Sequence, residues 1–101
     1  MENVTSAQVA QLQSEGKKIL VQYTASWCGP CKQLTPRLSN LSNKYSDMTF
    51  VKVDVDENMD AARELFISSV PTVIIYDGDV VVDRSTGVNP DSFYSKILDT
   101  L

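Results

Sequence analysis

The chain has 101 residues, a length that fits one compact domain, residues 1–101, and leaves little room for a second. Hydrophobic residues make up 43%, enough for a core and too many for a disordered segment, while a net charge of −4 argues against nucleic-acid or anionic-membrane binding as the main task. Two cysteines and no histidine cannot complete a four-ligand zinc site and make a poor disulfide scaffold, so the pair is either incidental or reactive.

Met1 to Ser6 carries no basic start and no apolar stretch of signal-peptide length, and no run reaches the length of a membrane span. The simple expectation is a cytoplasmic protein. A short strand near Asn3 to Thr5 is an optional first element. Ser6 to Glu15 reads as a helix, with Thr5 or Ser6 as cap, Val9 and Leu12 on one face and Gly16 past its end. Lys18 to Thr24 is short, apolar and β-rich, the pattern of a buried strand. A second helix is expected from about Cys31 to Tyr45, because Leu34, Leu38, Leu41 and Tyr45 recur at helical spacing. Pro36 falls inside it, removes one backbone donor and is expected to kink it.

Thr49 to Val55 alternates, with Val51, Val53 and Val55 on one face and Phe50, Lys52 and Asp54 on the other. A short helix from about Asn58 to Phe66 is expected to bury Ala62, Leu65 and Phe66. Thr72 to Tyr76 and Val80 to Arg84 read as an antiparallel hairpin around Asp77-Gly78. The last helix is expected to take Asn89 as cap and Pro90 at its first position, with Phe93, Ile97, Leu98 and Leu101 as its apolar stripe. The βαβ portion implies parallel strands with right-handed crossovers, and helices should cover both faces of a small mixed sheet.

Cys28 and Cys31 sit where a buried strand gives way to a helix. Free amide groups and the helix dipole favour an anion at that position. A thiol there is therefore activated as a thiolate. Cys28 is expected to project outward and to attack; Cys31, one turn in, is expected to be more buried and to resolve the mixed disulfide. Gly29 lets a partner backbone approach, and Pro30 fixes the backbone near the helix start. The competing reading, two buried structural cysteines, is the weaker one for a C-x-x-C beside a βαβ pattern.

The run Trp27-Cys28-Gly29-Pro30-Cys31-Lys32 is the hexapeptide of the thioredoxin family, and the sequence resembles that family over nearly its whole length. Pro36, Val51 to Asp56, Val70-Pro71-Thr72 and Thr86-Gly87-Val88 all resemble family segments. The resemblance implies a thioredoxin fold: an α/β domain with a central mixed sheet of four or five strands flanked by four helices. It implies a protein-disulfide reductase with no bound cofactor, because the two sulfurs carry both electrons. The implied partners are protein disulfides as substrates and a thioredoxin reductase as electron donor, with the chain a monomer. It also implies a cis bond before Pro71, pairing of the Val70 backbone with an extended substrate, and an apolar docking surface of Trp27, Gly29, Pro30, Val55, Val70, Gly87 and Val88. By residue type alone, Val55 and Val70 read as core, Trp27 as core or surface, and Pro71 as an ordinary turn proline.

One residue departs from the family pattern. Gln22 stands where most thioredoxins have a buried aspartate beneath the second cysteine, while the accompanying Lys52 remains. An amide hydrogen-bonds but does not ionise in the working range. On one reading Cys31 deprotonates through water that Gln22 positions, which slows release of the mixed disulfide. On the other, Gln22 is a satisfied polar residue without a kinetic role. Thr24 likewise replaces the family's usual aromatic.

Asp54, Asp56, Asn58 and Asp60 alternate like a calcium loop, but Met59 and Leu65 occupy the positions that need glycine and an acid. Two further functional readings stand beside the reductase: an oxidase or isomerase built on the same cysteines, and a redox-independent binding subunit that uses the apolar patch.

Overall fold

A computed structural model describes all residues from Met1 to Leu101. The elements are β1 (Glu2–Asn3), α1 (Ser6–Ser14), β2 (Lys18–Thr24), α2 (Gly29–Ser42), β3 (Thr49–Asp54), α3 (Met59–Glu64), β4 (Thr72–Asp77), β5 (Val80–Thr86) and α4 (Asp91–Leu98). The five strands form one mixed sheet in the order β1-β3-β2-β4-β5. β3 runs parallel to both β1 and β2, and β4 runs antiparallel to β2 and β5. The sequence expectation of a four- or five-stranded sheet resolves to five.

Alternation along the central strands creates two cores. Leu20, Phe50, Val73 and Ile75 face α2 and α4 and pack with Leu34, Leu38, Leu41, Tyr94 and Leu98. Ile19, Val21, Tyr23, Val51, Val53, Ile74 and Tyr76 face the other way and pack with Val9 of α1. The long strands β2 and β4 are thus covered on both faces, which is why their sequences read as continuous apolar runs.

Local chemistry sets the element ends. Thr5 closes α1 with a reciprocal cap: its Oγ1 accepts from Gln8 N at 3.2 Å, and its own N–H donates to Gln8 Oε1 at 2.8 Å. α4 begins one residue later than expected. Pro90 is its N-cap and no side chain caps it, so Asn89 is not the cap; its amide Nδ2 turns back to Thr86 O instead. The largest departure is at the end of α3. The helix stops at Glu64, and Phe66 takes φ +55° with 84% of its surface exposed, so it is not a core residue.

β5 is the exposed edge of the sheet, with Val80 and Val81 in solvent. A register shift at Ile75/Tyr76 and the charged Asp83 and Arg84 interrupt its regularity, a pattern that discourages further strand pairing. No helix is long and apolar enough to cross a membrane.

Candidate active site

β2 delivers the chain to the cysteines. Beyond Thr24, Ala25 O accepts from Cys28 N at 3.1 Å and turns the backbone into α2. Cys28 then serves as the N-cap of that helix. Its Sγ accepts from Cys31 N at 3.2 Å, and its carbonyl accepts from Lys32 N at 3.4 Å. A sulfur takes the role that a serine or aspartate oxygen usually plays at a helix start. The helix therefore begins at Gly29, earlier than apolar spacing alone implied. Pro30 falls in the first turn, where its missing N–H leaves no intrahelical bond unmade.

Cys28 and Cys31 are joined by a disulfide, with Cα atoms 5.3 Å apart. Both are buried, at 4% and 1% exposure, in a small cluster with Ala25. Cys31 is the deeper of the two, as expected. Cys28 does not project outward: Val55 and Val70 pack against the cluster, and Val70 O lies 3.6 Å from Cys28 Sγ. The Val70-Pro71 bond is cis, and Pro71 O accepts from Gly87 N at 2.9 Å, which ties the Gly87-Val88 loop to the same corner. Gly87 has φ +78°, a conformation that suits glycine, and Val88 is exposed.

A small groove of about 110 Å³ runs from this corner between Trp27 and Val55 on one side and Ile67, Ser68, Ser69 and Val70 on the other. The Trp27 indole is 69% exposed and is fixed by an Nε1–H donated to the Asp56 carboxylate at 2.8 Å. Trp27 is thus a surface residue, and Val55 and Val70 are half-buried rather than core.

Gln22 lies fully buried beneath Cys31. Its Nε2 donates to Cys31 O at 3.2 Å. Thr35 Oγ1 lies 3.0 Å from Gln22 Oε1 and 2.9 Å from Cys31 O. The single hydroxyl proton serves every acceptor if it goes to Gln22 Oε1, because Cys31 O already receives the amide of Gln22. A cavity of about 250 Å³ opens beside Cys31, lined among others by Thr24, Thr35, Lys52 and Asp54. Gln22 does not line it; Thr35 does. Lys52 is half-buried and forms no ion pair there. Sequence reasoning missed Thr35. The available signal was its position four residues after Cys31, which places a hydroxyl within reach of that carbonyl.

The geometry is that of a reversible dithiol at a helix start, next to a groove with a free backbone carbonyl. The sequence profile named Thioredoxin matches residues 2–99. The chain belongs to the thioredoxin family. It is 44% identical to thioredoxin-2 of Saccharomyces cerevisiae over 79 residues, 78% of this chain and 76% of that protein. It is 38% identical to the thioredoxin of Mycoplasmoides gallisepticum over 99 residues, 97% of this chain and 99% of that protein. The solved structure of Plasmodium falciparum thioredoxin superposes with a TM-score of 0.88 at 34% identity, covering 99% of this chain and 98% of that one. As a member of this family the chain is a thiol–disulfide oxidoreductase acting on protein disulfides, and the Cys28–Cys31 pair is its redox group.

Proposed function

We propose that the chain is a general protein-disulfide reductase in which Cys28 attacks and Cys31 resolves. The observation that carries this reading is the Cys31 N–H held 3.2 Å from Cys28 Sγ at the start of α2. A thiolate at that sulfur gains a charge-assisted amide bond and the helix dipole; a thiol gains much less. Cys31 Sγ holds no cap position, and Cys31 is the more buried of the two cysteines.

In the reduced protein the Cys28 thiolate attacks one sulfur of a substrate disulfide. A Cys28–substrate bond forms, and the other substrate sulfur leaves as a thiolate that takes up a proton. Cys31 then loses its proton and attacks Cys28 Sγ. The Cys28–Cys31 bond forms, and the second substrate thiolate leaves. Two electrons and two protons pass to the substrate, and the oxidised protein has the bridge described above.

Val70 O and the Trp27–Val55 groove fit an extended substrate segment laid beside the cysteines. Gly29, Pro30, Pro71, Gly87 and Val88 shape the surface around it. Cys31 passes its proton to water in the cavity beside it; Lys52 and Thr35 line that cavity, and Gln22 holds Thr35 and the Cys31 carbonyl in place. The family pattern supports the remaining parts of the reading: one domain over residues 1–101, a cytoplasmic monomer, electron transport from a thioredoxin reductase, and no cofactor beyond the cysteine pair.

Variants with Cys31→Ser and Cys28→Ser test the assignment with a disulfide-bonded protein such as insulin. The first should accumulate a mixed disulfide through Cys28, visible by mass spectrometry, and the second should form none. Trapping by the Cys28→Ser variant instead would reverse the two roles.

A further inference from the structure

Phe66 follows α3 directly and closes it. Its N–H donates to Arg63 O at 3.0 Å, and the next N–H, of Ile67, donates to Ala62 O at 2.9 Å. This pair of bonds is the Schellman closure, whose left-handed residue is usually glycine because a Cβ is crowded there. Here the position holds phenylalanine at φ +55°. The Arg84 guanidinium fastens the turn from β5, donating to the carbonyl oxygens of both Leu65 and Phe66.

A bulky residue in this conformation is an outlier that needs compensation. The fold supplies none through the side chain, since Phe66 is 84% exposed, the most exposed of the large apolar residues. Its place in the chain suggests what covers it. Residues 67–70 form one bank of the groove that ends at Val70 O, beside Cys28 Sγ. Phe66 immediately precedes this lining segment in the chain, while the exposed Trp27 also lines the groove. Phe66 lies four positions before Val70, a reach of at most about 13 Å, which an extended substrate segment spans in about four residues.

We propose that Phe66 is a substrate-anchoring residue, seating an apolar side chain that lies about four residues from the attacked cysteine in an extended segment of the protein substrate. The proposal rests on the reading of Cys28 as the attacking sulfur. Its occupant follows from the position of Phe66 next to that groove in the chain: the protein's substrates are polypeptide disulfides, and a segment bonded to Cys28 and extending along residues 67–70 comes within reach of an apolar side chain that the fold leaves uncovered. Burial of a leucine against phenylalanine then raises the affinity of the encounter, and substrates with a polar residue there are disfavoured.

The test uses the full chain, pre-reduced, in single-turnover reactions. Substrates are synthetic peptides carrying one cysteine as a mixed disulfide with glutathione, with leucine or serine placed two to six residues away on either side. Bis(2-hydroxyethyl) disulfide serves as a peptide-free check that the parent exchanges disulfides at all. The second-order rate constant of the parent should be about fivefold higher for leucine than for serine near position four, a ratio expected from partial burial of one aliphatic side chain. In the Phe66→Gly and Phe66→Asn variants that ratio should fall to about one. Both variants should melt at or above the parent temperature, because glycine and asparagine suit the left-handed turn.

A parent without the leucine preference, or variants that keep it, would overturn the proposal while reduction of the small disulfide leaves the exchange site standing. A lower melting temperature in both variants would also overturn it, since the ring would then be held by the fold. Failure of the parent on every disulfide would sink the exchange site and this inference together.

Discussion

Thr35 and Gln22 meet in a hydrogen bond of 3.0 Å directly beneath the carbonyl of the buried cysteine. The pair is a closed polar set: Gln22 spends an amide proton on Cys31 O, and the hydroxyl of Thr35 serves Gln22 Oε1. Nothing in it titrates near neutral pH, so Cys31 must pass its proton to water in the adjoining cavity. Replacing Gln22 by aspartate restores a proton acceptor at the same depth. The release of the mixed disulfide should quicken by about tenfold near neutral pH, a modest share of what positioned bases contribute. The variant should also be less stable as pH rises. Burial raises a carboxyl pKa, so the folded state holds a proton that the unfolded state has released, and stability falls through that window. A single-turnover release rate that stays level or drops would refute the kinetic role of this position.

The same bond can be broken from its other end. Thr35→Val keeps the shape and removes the hydroxyl, leaving a buried amide oxygen without a donor, which costs about 1–3 kcal/mol. Gln22→Leu removes the amide instead. The double variant should lose less than the two single losses added together, with a coupling of about 0.5–3 kcal/mol in urea titrations. Strict additivity would show that the two side chains do not act as a unit.

Much of this was legible from the residues alone, and the failures have physical causes. β2 lies at Lys18–Thr24 as expected, because a short apolar run next to turn residues has few other uses. Phe66 was misplaced because hydrophobic spacing continues smoothly through Leu65 to Phe66, while the turn after α3 is fixed by Arg84, a partner 18 positions away. Asn89 reads as the cap because Asn before Pro is a strong local signal, yet its side chain is used by the preceding Thr86 carbonyl. Helix position alone points Cys28 outward; Val70, brought over from a distant loop, closes above it. Local chemistry placed the elements, and long-range contacts decided which side chains they show.

Tyr94 is fully buried, and its hydroxyl has no hydrogen-bond partner. The ring packs edge-on against Phe93 with centroids 5.2 Å apart, so the aromatic body contributes while the hydroxyl does not. Tyr94→Phe should therefore leave stability unchanged or raise it by about 1 kcal/mol, read from the urea midpoint at constant slope. A loss of that size would mean the hydroxyl has a partner in solution, such as a trapped water.

Tyr23 links stability to alkaline pH. Burial raises its pKa first, and the hydroxyl of Tyr76, 3.3 Å away, raises it further against a small opposing effect of Arg84. The folded state therefore keeps the phenolic proton where the unfolded chain gives it up, near pH ~10. Stability is fully present below that pH and should decline above it. In chemical unfolding between neutral pH and pH ~11 the parent should lose stability relative to Tyr23→Phe toward the alkaline end. Parallel curves would show that this hydroxyl ionises freely in the folded protein.

Asp56 holds the Trp27 indole through the 2.8 Å bond to Nε1, and the indole forms one bank of the groove beside the disulfide. An exposed ring with a single tether loses its fixed position when the tether goes. Asp56→Ala should raise the mobility of Trp27, seen as lower fluorescence anisotropy. It should also slow reduction of a protein disulfide by about two- to fivefold, the size expected for one exposed charge-assisted bond. Asp56→Asn keeps an acceptor oxygen and should lie between the two, because the amide can accept the same proton without the charge. If the alanine variant reduces insulin at the parent rate while its anisotropy falls, the orientation of the indole has no part in substrate capture, and the groove works through its other bank.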